Sequence, residues 1–309
     1  KQCSKCKSAL YCCRECQIQD WKVHKKLCNT FASNQAPLAE ADALFNKGAH
    51  FQLLHQMDAA LVFYRQALEI YKTLLGEKHV NAAKSYIGIG TIMQEKGRYS
   101  ESLVAFQQAL AINQELFGEN HALTATSYQG YGTALRRNKQ YDQALVALNK
   151  GLEIRKQLLG ENHPETADSF ESVSLVLRDK GRFDDALIGF GKALSIRKRV
   201  LGDNHTDLSI AYTNVGVILE AKGQLDEALR QYQSAAEIDE RLLGENHVNT
   251  ARSRNCMGLL LHKKGLYDEA LKVYAKTYKI FEQELGKNHP ETTMTRKHML
   301  LAQQRKNYI

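Results

Sequence analysis

The sequence predicts an all-α fold, a superhelical solenoid of stacked helix pairs that follows a small cysteine-rich module. Six copies of a glycine, each with a histidine three positions later, recur at intervals of 42 residues. Each interval also contains two stretches in which apolar residues are spaced three or four apart, the spacing of an amphipathic helix. Six of the seven cysteines lie within the first 28 residues, and the seventh, Cys256, is predicted to be a small core residue of its repeat. The chain is therefore expected to have two parts of different chemistry.

The glycine–histidine pairs set the register of the long part, and a fixed period of this size is typical of solenoids. The pairs are Gly76-His79, Gly118-His121, Gly160-His163, Gly202-His205, Gly244-His247 and Gly286-His289. Successive copies in a stacked array are roughly 10 Å or more apart, whereas a zinc ligand lies ~2.0–2.1 Å from its ion. We therefore expect these histidines to be turn residues near helix starts and not shared metal ligands.

Each period holds a first helix, A, and a second helix, B, joined by a tight turn. Helix A starts after the histidine, where Pro164 and Pro290 occupy the first helical turn, the position that tolerates proline. Glycines in the A–B turn are predicted to be left-handed helix caps: Gly97, Gly181, Gly223 and Gly265. Lys139 fills the equivalent position of the third copy, where we expect some backbone strain.

A helix-turn-helix with small residues at fixed contact points and an aromatic residue in each helix resembles the tetratricopeptide repeat. The 42-residue period, with LGxxHP before helix A, is similar to the kinesin light chain subclass. The resemblance covers 38–309 and implies about six helix pairs that start near 38, 80, 122, 164, 206 and 248. A seventh A-type helix from Pro290 to about Tyr308 would cap the solenoid with its polar end.

The short part has the spacing of a metal site. Three pairs have ligand spacing: Cys3 with Cys6, Cys12 with Cys16, and His24 with Cys28. Zn²⁺ takes four tetrahedral nitrogen or sulfur ligands, and its binding supplies folding free energy that a ~30-residue unit lacks. The alternative, buried thiols without a metal, is disfavoured because little apolar sequence surrounds them.

From Tyr11 to Cys28 the sequence resembles the second half of a MYND-type zinc finger, a family that holds two zinc ions with four ligand pairs. The resemblance implies one complete site, formed by Cys3, Cys6, His24 and Cys28, and half of a second site, formed by Cys12 and Cys16. Either another Cys-x2-Cys lies upstream in a longer protein, or this copy holds one zinc.

MYND fingers bind short proline-rich peptides, which implies a peptide contact at Tyr11, Gln17 and Trp21. Packing of Trp21 over the zinc sites is an equally open interpretation of that residue.

Charge and composition narrow the classes of function. The net charge is +8, and residues 1–35 hold seven basic and two acidic residues. Nucleic-acid binding is nevertheless disfavoured, because no recognition helix and no alternation of basic and aromatic residues is apparent. No run approaches the ~18–20 apolar residues of a membrane span, and no catalytic constellation or small-molecule site stands out. Cysteines that bind a metal must stay reduced, which predicts an intracellular localisation, cytoplasmic and/or nuclear.

The tetratricopeptide resemblance implies that helix A lines a groove for partner peptides. The positions expected to face that groove are Ile87, Gln129, Arg136, Leu175, Arg178, Thr213, Asn214, Val217, Asn255 and Leu259. Aliphatic side chains on an otherwise solvated face favour a partner. Kinesin light chains use asparagines on helix A for this purpose, and here only Asn214 and Asn255 lie at or next to such positions.

These observations predict a zinc-binding, non-enzymatic adaptor with a partial MYND-type finger at 1–28, a linker at 29–37 and a solenoid at 38–309. The linker is too short for the catalytic SET domain that accompanies such fingers in some lysine methyltransferases. Two alternatives stay open. In the first, the finger is only a folding cap for the solenoid and has no partner of its own. In the second, the chain is the recruiting arm of a larger, methyltransferase-like protein whose catalytic region lies outside it.

Overall fold

A computed structural model of the chain describes residues 36–307, which form thirteen α-helices and no strand. Helix α1 covers 36–53. The following helices are α2 (Met57–Leu75), α3 (Val80–Glu95), α4 (Tyr99–Phe117), α5 (Ala122–Arg137), α6 (Tyr141–Leu159), α7 (Pro164–Asp179), α8 (Phe183–Leu201), α9 (Thr206–Ala221), α10 (Leu225–Leu243), α11 (Val248–Lys263), α12 (Tyr267–Glu284) and α13 (Pro290–Asn307).

The all-α fold and the starts of the A helices from α3 to α13 are confirmed. Helices α3, α5, α7, α9 and α11 begin at the five predicted positions from 80 to 248, and α13 begins at Pro290. Helix α1 already includes 36 and 37, which the sequence pattern assigns to the linker.

The recurring histidines are N-terminal helix caps. The Nδ1 atom of His79 accepts a hydrogen bond from the backbone N–H of Asn81 at 3.1 Å. His121, His163, His205, His247 and His289 repeat this bond to the residue two positions on, at 3.1–3.3 Å. Each bond satisfies an N–H that the helix itself leaves without a partner. The predicted location at helix starts is thus confirmed, and no cluster of metal-ligating side chains occurs among residues 36–307.

The turns between A and B helices use the left-handed conformation. Gly97, Gly181, Gly223 and Gly265 have φ of 72°, 75°, 78° and 79°. After α3, the N–H of Gly97 bonds to the carbonyl of Gln94 and that of Arg98 to the carbonyl of Met93, which is the Schellman pattern. Lys139 adopts the same conformation with φ of 63°, the left-handed region in which a residue with a Cβ atom is disfavoured.

Glycines on helix A receive the aromatic rings of helix B. A Cβ atom at Gly90 would lie 2.8 Å from the ring of Phe106, and one at Gly216 would lie 2.7 Å from the ring of Tyr232. Both rings are 2–3% exposed. Because a methyl group would overlap the ring, the small residues are needed for the close approach of the two helices.

Contacts divide the chain into two compact units, Lys1–Ile154 and Arg155–Ile309. No helix within 36–307 is both long and apolar enough to cross a membrane.

Candidate peptide-binding groove

In the unit Arg155–Ile309, the predicted groove positions lie on α7, α9 and α11. We name this surface the A-helix face. Its predicted members are Leu175, Arg178, Thr213, Asn214, Val217, Asn255 and Leu259. Ile210, two helical turns before Val217 on α9, lies on the same face.

The aliphatic side chains of the A-helix face are exposed or half-buried. Ile210 on α9 is 56% exposed and Leu259 on α11 is 37% exposed, while Leu175 and Val217 are half-buried. Apolar area left in water is a favourable contact surface for a partner, at about 25 cal/mol per Å² buried.

A polar network joins α7, α8 and α9 and includes Asn214 of this face. The Asn214 amide donates to Glu171 Oε1 at 2.8 Å, and Arg197 Nη2 lies 2.5 Å from Glu171 Oε2 and 2.8 Å from Asp168 Oδ1. Burial by itself would lower the pKa of Arg197, but the two carboxylates outweigh burial and raise that pKa above its ordinary value. Asn214, which the sequence predicts to lie at the groove, is therefore already bonded to Glu171.

The other predicted polar residues of the A-helix face differ in whether their polar atoms already have hydrogen-bond or ion-pair partners. Arg178 Nη2 lies 2.9 Å from Asp179 Oδ1, and the Thr213 hydroxyl donates to the Ser209 carbonyl at 2.9 Å. Asn255 Oδ1 is buried and has no hydrogen-bond partner among the described residues.

A cavity of about 380 Å³ lies between α9 and α11, with α10 beneath it. Ile210, Thr213 and Cys256 line it together with the carboxylate of Asp239. The sequence pattern places Cys256 in the core of its repeat. In the structure Cys256 is half-buried and lines this cavity, and burial raises the pKa of its thiol above the ordinary value.

Asp239 was not identified from the sequence. Residues at the same point of the other periods are Tyr71, Asn113, Arg155, Arg197 and Phe281. Comparison of these six equivalent positions would have identified Asp239 as the one acidic residue among them. The apolar spacing of helix B does not indicate an acidic residue at this position.

In the unit Lys1–Ile154, the predicted groove residues are less exposed to solvent. Ile87 is half-buried and packs against the core cluster that contains Tyr64 and Ile92. Gln129 is half-buried, and Arg136 is only 9% exposed, although the helical register predicts that it faces outward.

The predicted finger residues lie outside the described part of the chain. They are the candidate ligands Cys3, Cys6, Cys12, Cys16, His24 and Cys28 and the candidate peptide contacts Tyr11, Gln17 and Trp21.

Comparison with protein families defines the class. The family model described as "Tetratricopeptide repeat" matches overlapping segments from 39 to 308, so the chain belongs to the tetratricopeptide-repeat proteins. The family model described as "MYND finger" matches residues 1–28. The protein thus joins a MYND finger to a tetratricopeptide-repeat array, as the sequence predicts.

Solved structures agree on the fold. A Podosopora anserina protein described as a kinesin light chain with nearly identical TPR-like repeats matches with a TM-score of 0.59 and 18% identity, over 66% of this chain and 97% of that one. BtubC from P. vanneervenii matches with a TM-score of 0.59 and 16% identity, over 83% and 94% of the two chains. A Rap protein complexed with competence and sporulation factor matches with a TM-score of 0.61 and 17% identity, over 90% and 78%. The predicted similarity to kinesin light chain-type repeats is therefore confirmed at the level of the fold.

Proposed function

We propose that this protein is an adaptor that binds a partner peptide on its A-helix face and a second partner through its MYND finger. Tetratricopeptide repeats and the MYND finger both support a role in protein interaction. The observation that carries the proposal is the combination of Ile210, Val217 and Leu259 on one face with a cavity between α9 and α11.

The chemistry of this face suits an extended peptide. Apolar side chains of the peptide would cover Val217 and Leu259. The Rap structure, solved as a complex with competence and sporulation factor, supports ligand binding by an array of this fold. The proposal assigns no catalytic step, small-molecule substrate, nucleic acid or membrane to the chain.

Zinc belongs to the same proposal. Cys3, Cys6, His24 and Cys28 form a donor set of three thiolates and one imidazole, which is the set that structural zinc takes. When bound, the ion would supply the folding free energy of the finger. Cys12 and Cys16 would complete a second site only with another cysteine pair.

The experiment replaces two aliphatic residues of the A-helix face with acids. The full chain with Val217→Glu and Leu259→Glu is expected to lose at least one partner that the wild-type chain captures from lysate, because two carboxylates would have to be desolvated in the contact. Far-ultraviolet circular dichroism and the melting temperature are expected to stay unchanged.

A matched control carries the same added charge on a B helix. Ile188 and Val200 on α8 are 61% and 47% exposed, so Ile188→Glu with Val200→Glu should leave the captured set intact. An unchanged set in the A-helix variant would show that this face does not bind the partner.

A further inference from the structure

Asp239 is a buried carboxylate at the base of the cavity between α9 and α11. The residue is 3% exposed, although it also lines the cavity. The hydroxyls of Ser209 and Ser253 donate to its Oδ2 atom at 2.7 Å and 2.5 Å. Neither hydrogen bond uses Oδ1. The two serines thus hold the carboxylate in one orientation and leave its second oxygen to other donors.

The negative charge of Asp239 is not balanced by an ion pair within residues 36–307. The basic residue that lines the cavity, Arg252, is bonded to Glu291, with Nε 2.8 Å from Oε1 and Nη2 2.9 Å from Oε2. A buried carboxylate is costly without a cation, since hydroxyl donors compensate only part of its lost hydration. The cavity therefore favours a positive charge.

The helix N-termini beside the cavity do not reverse this preference. Helices α9 and α11 both begin near it, and helix N-termini attract anions. However, His205 accepts the N–H of Asp207 at 3.2 Å and His247 accepts that of Asn249 at 3.1 Å, so each terminus is already capped. Because Arg252 is paired with Glu291, the charge at the cavity that has no countercharge among the described residues is that of Asp239.

We propose that this cavity binds the side chain of a lysine or arginine in the partner peptide, with its cation on Asp239 Oδ1. The aliphatic stem would lie against Ile210 and Thr213, as long basic side chains commonly bury their methylene groups. A volume of about 380 Å³ is within the usual range of a ligand pocket. This inference rests on the proposed function and adds the charge of the residue that the partner must supply.

The test uses fluorescein-labelled octapeptide pools and the full-length protein. Each pool has one fixed central residue, which is arginine, lysine, leucine or glutamate, and randomised neighbours. Fluorescence anisotropy is expected to show about tenfold tighter binding of the arginine and lysine pools than of the other two, the size expected of one charge-assisted hydrogen-bonded pair.

Two variants that each remove one negative charge distinguish binding at Asp239 from nonspecific electrostatic attraction of basic peptides. Asp239→Asn is expected to abolish the preference for basic pools. Asp226→Asn is expected to keep it, because Asp226 is an exposed acid on the same helix and pairs with Lys264. Pools that bind without a basic preference, or a preference that survives Asp239→Asn, would overturn this inference but leave the proposed function standing. Failure of every pool to bind would overturn both.

A second measurement uses the wild-type protein, so it does not depend on whether Asp239→Asn folds. Cys256 lines the same cavity and its tryptic peptide can be followed by mass spectrometry. A bound arginine pool is expected to slow alkylation of Cys256 severalfold more than an equally concentrated leucine pool. Equal alkylation rates would place the basic residue elsewhere and overturn the inference.

Discussion

Lys139 occupies a backbone conformation that glycine occupies in other A–B turns. Its φ is 63°, and Gly181 in the next repeat has φ of 75°. The left-handed region is unfavourable by roughly 1–2 kcal/mol for a residue with a Cβ atom, and it is most unfavourable for a β-branched residue. The cost of Lys139 is therefore local and can be removed by one substitution.

Lys139→Gly is expected to raise the free energy of unfolding by roughly 0.5–1 kcal/mol, because it relieves this strain. Gly181→Val is expected to lower it by about 1–2 kcal/mol, and no steric clash adds to that, since nothing lies within 4 Å of the new Cβ position. Urea unfolding of the two variants checks both signs. If either variant has the same free energy of unfolding as the wild-type protein, the left-handed conformation assigned to that turn is contradicted.

At the scale of the helix, the small residue of each pair decides how closely A and B approach. Ala186 on α8 is 0% exposed, while Ile188, two positions on in the same helix, is 61% exposed. The contrast follows from the helical register: two positions correspond to about 200° around the axis. The two residues therefore form a matched pair for testing that register.

Ala186→Trp is expected to destabilise the fold by about 1–3 kcal/mol, because an indole does not fit a filled helix crossing. Ile188→Trp should change the free energy of unfolding by less than about 0.5 kcal/mol, as is usual at exposed sites. Thermal melts measure both. If the two tryptophans have the same effect, the register of α8 is wrong.

Helix positions could be predicted from the sequence, whereas the polar contacts of the groove could not. The 42-residue period fixes helix starts such as Val80 and Pro290, because turns and cap residues are determined by local sequence. The bond from Asn214 to Glu171 joins different repeats, and apolar spacing carries no information about it. The partial burial of Cys256 beside the cavity and the burial of Arg136 likewise depend on side-chain packing.

For the whole molecule, zinc content tests the finger independently of the groove. One tightly bound zinc per chain is expected for the purified protein, held by Cys3, Cys6, His24 and Cys28. The double variant Cys12→Ser with Cys16→Ser should keep it, and addition of an upstream Cys-x2-Cys should raise the count to two. Elemental analysis of protein prepared without chelator measures this. A content near zero would contradict the zinc site.

Site-specific photo-crosslinking tests most directly whether the A-helix face is the working surface. Benzoylphenylalanine at Leu259 is expected to cross-link a captured partner in the full-length protein, because Leu259 is 37% exposed on that face. The same group at Ile188 on α8 is expected to give no cross-link to that partner. A cross-link from Ile188 with none from Leu259 would contradict the account, since the partner would then lie on a B helix.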